Sequence, residues 1–459
     1  MSESPGNDNR LDEANKPKEE ALRLHPFYRG KMETVPKCAV RSLSDFSIWY
    51  SPGVAAPCSE IARNPELVYE YTSKWNTVAV VSDGSRVLGL GNIGPKAGLP
   101  VMEGKALLYK YLGGVDSVPV MIDSEDPDEI IRTVLLLQPT YGGINLEDIA
   151  QPKCFRILET LRREAEIPVW HDDQQGTATV TLAGLVSALR FVGKRLGDVR
   201  IAFVGAGAAS VAGARLIFGR GANPEIATVV DSKGILGRHR ADIERQRNHF
   251  PEKWALCERT NAEGRTGGVE EALRGADVVI SLATPGPGTI KPEWIRAMAK
   301  DPIVFACANP TPEIWPWEAK EAGAAVVATG RSDFPNQVNN SLCFPGIFRG
   351  ALDVRATTIT DQMCFEAADT LADYVADELG PERIIPTMDE WQVFPELAAR
   401  TGMKAQEQGI ARLTRTREQL YDQAEAMIRR SRSLTASMMD QGFIAAPPDA
   451  GPEARPEEE

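Results

Sequence analysis

Two adjacent acid pairs, Glu147-Asp148 and Asp172-Asp173, stand at the ends of the stretch from Gly143 to Ala178. Four carboxylates brought together suit a hard, oxygen-seeking divalent cation. Between the pairs, Cys154, Phe155, Ile157, Leu158 and Leu161 fall at helical spacing, and Ile167-Pro168-Val169-Trp170 reads as a short buried strand. A compact strand-helix-strand unit would carry both pairs to one edge of a sheet.

A second chemistry is written further along. The apolar strand Val199 to Val204 runs into Gly205-Ala206-Gly207-Ala208-Ala209-Ser210, then a helix through Val211, Ala212, Ala214, Leu216 and Ile217, then a strand ending on Asp231. Strand, glycine turn, helix, strand and terminal acid form the dinucleotide fingerprint in its required context: the helix N-terminus takes the pyrophosphate and the acid takes the ribose. Gly205, Gly207, Ala208, Ser210 and Asp231 are therefore the cofactor-binding candidates, Ser210 standing small where a third glycine is usual. Further apolar runs at 276–281, 302–307 and 324–328 extend a parallel sheet. Asn309 lies in a loop at the carboxyl end of one of them and points toward the cofactor crevice.

Upstream, Val78 to Val81 is a continuous apolar strand leading into a glycine-rich segment that contains Arg86. Val101-Met102-Glu103-Gly104-Lys105 reads as a helix opening, which puts Lys105 in a first turn, where the dipole mildly disfavours a cation. Such a placement points to use rather than stability. Spacing alone makes Arg86 a surface charge and Tyr50 a half-buried aromatic beside the Pro52-Gly53 turn. Beyond about Phe348 the pattern turns helical, over 363–379, 394–408 and 415–431.

These elements predict an α/β chain. A solvated, disordered leader (1–20) precedes a substrate and metal domain (21–192) and a Rossmann-like doubly wound domain (193–350). A helical segment (351–445) and a disordered acidic tail (446–459) complete it. The leader lacks a signal peptide's apolar core and no stretch reaches the length of a membrane span, so a cytoplasmic protein is expected. A formal net charge of −13 argues against nucleic acid or an anionic membrane as partner. The seven cysteines form no close pairs and read as small buried hydrophobes in a reducing compartment. Four histidines leave little for a zinc site.

From about Ala21 to Ala356 the chain resembles the compact prokaryotic malic enzymes. The resemblance rests on YSPGVAAPC, SDGSRVLGLGNIGPKAGLPVMEGK, GGINLEDI, HDDQQGTA, VGAGAAS, VDSKG, ANPTPEI, ATGRSDFPNQVNN and FPGIFRGALDVRA, in that order. It implies oxidative decarboxylation of L-malate to pyruvate and CO2 with NAD or NADP and Mg2+ or Mn2+, in a homodimer or larger homo-oligomer. Glu147, Asp148 and Asp173 would hold the metal and Asp172 would support the catalytic site. Lys105 and Tyr50 would be the acid-base pair, Lys105 as base at the hydroxyl and Tyr50 as acid at C3 of enolpyruvate. Asn309, Asn340 and Arg86 would hold substrate. Arg86 is a residue of the larger eukaryotic members at a place often Ala in compact ones, and Gln175 replaces a frequent His. The resemblance is weak over the C-terminal 100 or so residues. A malolactic-type or other hydroxy-acid dehydrogenase and a non-catalytic dinucleotide sensor are the competing readings, and the intact catalytic set weighs against the sensor. Asp231 favours the ribose diol of NAD, whereas Lys233, Arg238, His239 and Arg240 could meet a 2'-phosphate; the reading leans to NAD.

Overall fold

The structure, a computed structural model, describes residues 5–448. Its first sheet comprises β1 (Thr77–Ser82), β2 (Asp116–Met121), β3 (Gly143–Leu146) and β4 (Val169–His171), parallel in the order β2-β1-β3-β4. Val78 to Val81 are fully buried. A central parallel strand is covered on both faces, which is why its sequence is continuously apolar rather than alternating.

The helix Thr177–Val192 leads out of this sheet and ends on Gly193, whose φ of 70° is the left-handed cap that glycine adopts without strain. The second sheet follows: β5 (Ile201–Val204), β6 (Thr228–Asp231), β7 (Gly234–Ile235), β8 (Val278–Ser281), β9 (Ile303–Ala306) and β10 (Val326–Thr329). Their order is β10-β9-β8-β5-β6-β7, parallel except for the short antiparallel β7. The order in which successive strands are added reverses between β5 and β8, and at such a switch point a doubly wound sheet opens its ligand crevice.

The C-terminal helices Phe344–Asp353, Asp361–Tyr374, Val393–Glu407 and Arg417–Asp440 return to the first sheet, where the first and last of them meet the helix Gly94–Gly113. A buried ion pair fastens this return. Arg349 donates from Nε and Nη2 to Asp353 at 3.0 and 2.6 Å, and from Nη1 to Asn76, just before β1. Gln423 of the last helix donates to the same Asp353 at 2.6 Å. Asp353→Ala strands a guanidinium with no solvent access, so it is expected to cost about 3–5 kcal/mol, read as a lower urea midpoint. Replacing Arg349 and Asp353 together by apolar residues should cost less, because no charge is then left unpaired.

Two expectations change. Pro5–Tyr28 is a helix rather than a disordered leader, and Lys16, Lys18 and Glu19 on it are exposed as a solvated leader would have them. Lys16, Lys18, Glu19, Glu20 and Ala21 are good helix formers and need no apolar stripe of their own. The other end of the chain holds the helix down: Tyr28 donates to the Ala445 carbonyl at 2.9 Å, and Arg23 to that of Pro448 at 2.6 Å. Of the expected disordered tail, residues 449–459 lie outside the described residues. Lys105 is the second change, because its helix begins at Gly94 and not near Val101. Pro95 takes the first turn, where a missing N–H costs nothing, and the helix runs through Pro100. Lys105 therefore sits deep in the helix, and the dipole argument does not apply to it.

Candidate active site

β3 and β4 are neighbours in register, Leu146 beside His171, so the acids that follow each strand emerge side by side. Glu147, Asp148 and Asp173 each place a carboxylate oxygen within 4.8 Å of the other two. Asp148 takes a left-handed φ of 54°, uncommon for a residue with a Cβ and a conformation that clusters at functional sites. Its backbone N–H donates to Asp173 Oδ2 at 2.8 Å, while its own Oδ2 is buried without a partner. Burial, reinforced by Asp173, pushes the Asp148 carboxyl up to about 8, and burial likewise raises Glu147. A cage of acids that cannot comfortably ionise, with an orphaned oxygen inside it, fits an oxygen-seeking divalent cation.

Asp172 turns away from that cage. The chain forms a π-helical turn over Asp172–Gly176, the kind of distortion often found at functional sites. It sets Asp172, with no solvent exposure, against Lys105 and against Trp170, whose Nε1 donates at 2.9 Å. Lys105 is 3.0 Å from Glu147 on its other side and 4.4 Å above the Phe344 ring. Burial alone would lower the Lys105 pKa, but Asp172 and Glu147 outweigh it and hold the ammonium protonated above its ordinary range. An ideal Cβ on Gly176 would lie 1.9 Å from Asp172 Oδ1. Gly176→Ala should therefore displace Asp172 and lower kcat at least about tenfold with metal affinity retained, a split that metal titration and turnover together would read.

The loop Asp83 to Gly94 closes one side. Arg86 donates its backbone N–H to the Asp148 carbonyl at 3.0 Å and keeps its side chain exposed near the Asp148 carboxylate. Gly89 touches the nucleotide domain: a Cβ there would stand 2.7 Å from the Asn309 carbonyl. Asn340 lies beside the turn that carries Asp172, its Cβ 3.1 Å from where Gly176 would carry one. Tyr50 is not brought to this centre; it is 72% exposed at the end of the short helix Phe46–Trp49.

Across the crevice, Gly205 follows β5 with a φ of 106° and leaves only 2.8 Å between an added Cβ and the Leu282 carbonyl, so glycine is required there. Gly207 caps the helix Ala208–Gly219 and has open space where a Cβ would stand. Free N–H groups of that helix end, with room in front of them, fit a pyrophosphate. Ser210 is buried with its hydroxyl unpartnered.

Three supporting residues escaped the reading of the sequence. Asn145 donates to Glu147 Oε2 at 2.8 Å and accepts from the Tyr109 hydroxyl at 2.8 Å, a chain that aims one acid of the carboxylate cage. Both had a signal: Asn145 is two residues before Glu147 along an extended strand end, and Tyr109 is four after Lys105 on one helix face. Glu313, fully buried, accepts from Ser281 Oγ and the backbone N–H groups of Ala283 and Ala308, at 2.7, 2.9 and 3.0 Å. It ties together the loops after β8 and β9, and nothing in its spacing announced that.

A carboxylate cage facing the ligand crevice of a doubly wound sheet defines a metal-assisted, dinucleotide-linked oxidoreductase. Comparison with known proteins gives the family. The family model for the malic enzyme N-terminal domain matches residues 29–162, and that for the malic enzyme NAD-binding domain matches 174–405. The bifunctional malic/malolactic enzyme of Bacillus subtilis is 47% identical over 415 residues, covering 89% of this chain and 98% of that protein. The NADP-dependent malic enzyme of Halomonas elongata is 44% identical, covering 83% and 92%. The crystal structure of Entamoeba histolytica malic enzyme superposes with a TM-score of 0.94 at 48% identity, over 98% of this chain and 93% of that one. The chain belongs to the malic enzyme family.

Proposed function

We propose that this protein oxidises and decarboxylates L-malate to pyruvate and CO2 while reducing NAD(P). The observation that carries this reading is Lys105, buried between Asp172 and Glu147 at the rim of the carboxylate cage. Glu147, Asp148 and Asp173 would hold Mg2+ or Mn2+. A divalent ion there supplies Lewis acidity, favouring ionisation of the malate C2 hydroxyl and charge on the enolate left when CO2 departs. Lys105 takes the hydroxyl proton. A charged ammonium cannot, so the anions beside it must first be compensated, which a cation held by Glu147, Asp148 and Asp173 would do. Asp172 holds the Lys105 amine in place. Asn309 and Asn340 hold substrate, and Arg86 clamps a carboxylate. Gly205, Gly207, Ala208 and Ser210 receive the dinucleotide pyrophosphate.

Tyr50 keeps the role of proton donor to C3, and an assembly supplies its enclosure. It lies on a run of exposed apolar residues that includes Leu43, Phe46, Ile48 and Trp49, the kind of patch that marks a protein interface. A homodimer or larger homo-oligomer follows from this reading, and sedimentation would check it. Five of the seven unpaired cysteines are buried as expected, which supports a reducing, cytoplasmic compartment, whereas Cys38 and Cys58 are exposed and are not the buried hydrophobes the sequence suggested. Among the described residues no helix is long and apolar enough to cross a membrane.

The test is an initial-rate assay with L-malate and Mn2+, following reduced nicotinamide and pyruvate. Malate-dependent reduction of neither NAD nor NADP would overturn the proposal. The Bacillus subtilis relative's name favours one second reading, malate-to-lactate conversion. Lactate without net reduced dinucleotide would identify it.

A further inference from the structure

The acid expected to receive the cofactor's ribose, Asp231, is already fully engaged. A carboxylate offers about four acceptor sites. Asp231 Oδ1 accepts from the Lys233 backbone N–H at 2.9 Å and from Arg240 Nη1 at 2.8 Å. Its Oδ2 accepts from Arg240 Nη2 at 3.0 Å and from Lys253 Nζ at 2.5 Å. A ribose diol arriving with two O–H donors finds no acceptor there unless one of these bonds breaks.

Arg240 is equally committed. Besides Asp231, it donates from Nε and Nη2 to Asp242, at 2.8 and 2.9 Å, and from Nη1 to the Gly234 carbonyl at 3.2 Å. All five of its N–H donors are spent, and its side chain is only 9% exposed. It acts as a clamp that cancels the Asp231 charge. Lys253 is different: its side chain is 24% exposed and it keeps two unspent N–H donors. Lys233, 69% exposed, stands 3.6 Å from Asp242. In this network three cations face two carboxylates, and the unspent donors belong to the lysines.

We propose that the end of β6 is built for the 2'-phosphate of NADP, with Lys253 and Lys233 as the groups that take it, so that the chain prefers NADP to NAD. Asp231 is then a positioning residue that holds Lys253, not the acceptor of a ribose diol. The proposal rests on the family reading of the crevice as a dinucleotide site and goes beyond it by assigning the discrimination.

The fragments 2',5'-ADP and 5'-AMP isolate the phosphate in question, and calorimetry on the full chain measures their binding without turnover. The parent should bind 2',5'-ADP at least tenfold more tightly, and salt should narrow the gap. Lys253→Ala should reduce 2',5'-ADP affinity tenfold or more and leave 5'-AMP within threefold, while Lys253→Arg restores the preference. Asp231→Asn separates the alternatives: loss of a diol acceptor would weaken 5'-AMP, whereas here 5'-AMP affinity should stay within threefold of the parent. Equal affinity of the parent for the two fragments, binding of neither, or an unchanged ratio in Lys253→Ala overturns the proposal. Malate-dependent reduction of NAD alone would overturn it too, while leaving the enzymatic reading intact.

Discussion

Asp173→Asn lowers malate turnover at least about 10³-fold and abolishes the stabilisation that Mn2+ gives the parent. The first figure follows from an ion contributing several kcal/mol of transition-state charge stabilisation, each 1.36 kcal/mol being about tenfold in rate. The second follows from linkage, since ligand at about a hundredfold over its Kd stabilises by roughly 2.7 kcal/mol. The metal-free proteins should behave in the opposite way. Unit charges within 4.8 Å repel by roughly 3–4 kcal/mol at an effective dielectric of about 20, so removing one acid relieves the cage. Metal-free Asp173→Asn should therefore be at least as stable as the metal-free parent, because Asn keeps the shape and can still accept from the Asp148 N–H.

The same cage sets a pH dependence. Asp148, at about 8 in the fold against roughly 4 in the unfolded chain, binds more protons folded than unfolded between those values. Metal-free stability contributed by this group is thus present in acid and lost as pH rises toward 8. Metal binding needs the ionised carboxylates, so the stabilisation by Mn2+ should grow over the same window. Thermal unfolding with and without Mn2+ at several pH values reads both trends. A metal shift that survives in Asp173→Asn would place the ion elsewhere.

Lys105→Ala lowers kcat by about 10²–10⁴-fold, the range for loss of a positioned general base. It also leaves buried Glu147 and Asp172 without their cation, at a cost of about 3–5 kcal/mol to the metal-free fold. The alanine variant alone confounds proton transfer with folding. Lys105→Arg separates them, because a guanidinium keeps the charge yet never deprotonates near neutrality. Arg should restore much of the stability and little of the turnover. An arginine enzyme within threefold of the parent kcat would remove Lys105 from the role of base.

Several elements were legible because their signals are local. The buried runs Val78 to Val81 and Val199 to Val204, the glycine turn at 205–210 and the helical spacing between the acid pairs each report on their own neighbourhood. Backbone sterics and burial periodicity act over a few residues, so they can be read there. The juxtaposition of the two acid pairs was also legible, since a parallel strand-helix-strand unit must bring its carboxyl ends together. The helix opening read at Val101 was misplaced, because the helix begins at Gly94 and runs through Pro100, a residue that marks a boundary only as a tendency.

What remained closed in the sequence depended on partners far along the chain. Lys105 lies 67 residues from Asp172, and Glu313 reaches two loops through a single carboxylate. Asp231 shows the difference most sharply. By itself the sequence determined that an acid ends the strand after the glycine turn, together with the two sheets and the two acid pairs at the ends of one helix. Only the tertiary structure decided that Arg240 and Lys253 use up that acid's lone pairs and that Lys105 is an ion-paired, buried ammonium. It alone left Tyr50 on the surface. Hydrogen-bond valence, burial and charge compensation are properties of atoms brought together in space, and no spacing along a chain encodes which of them will meet.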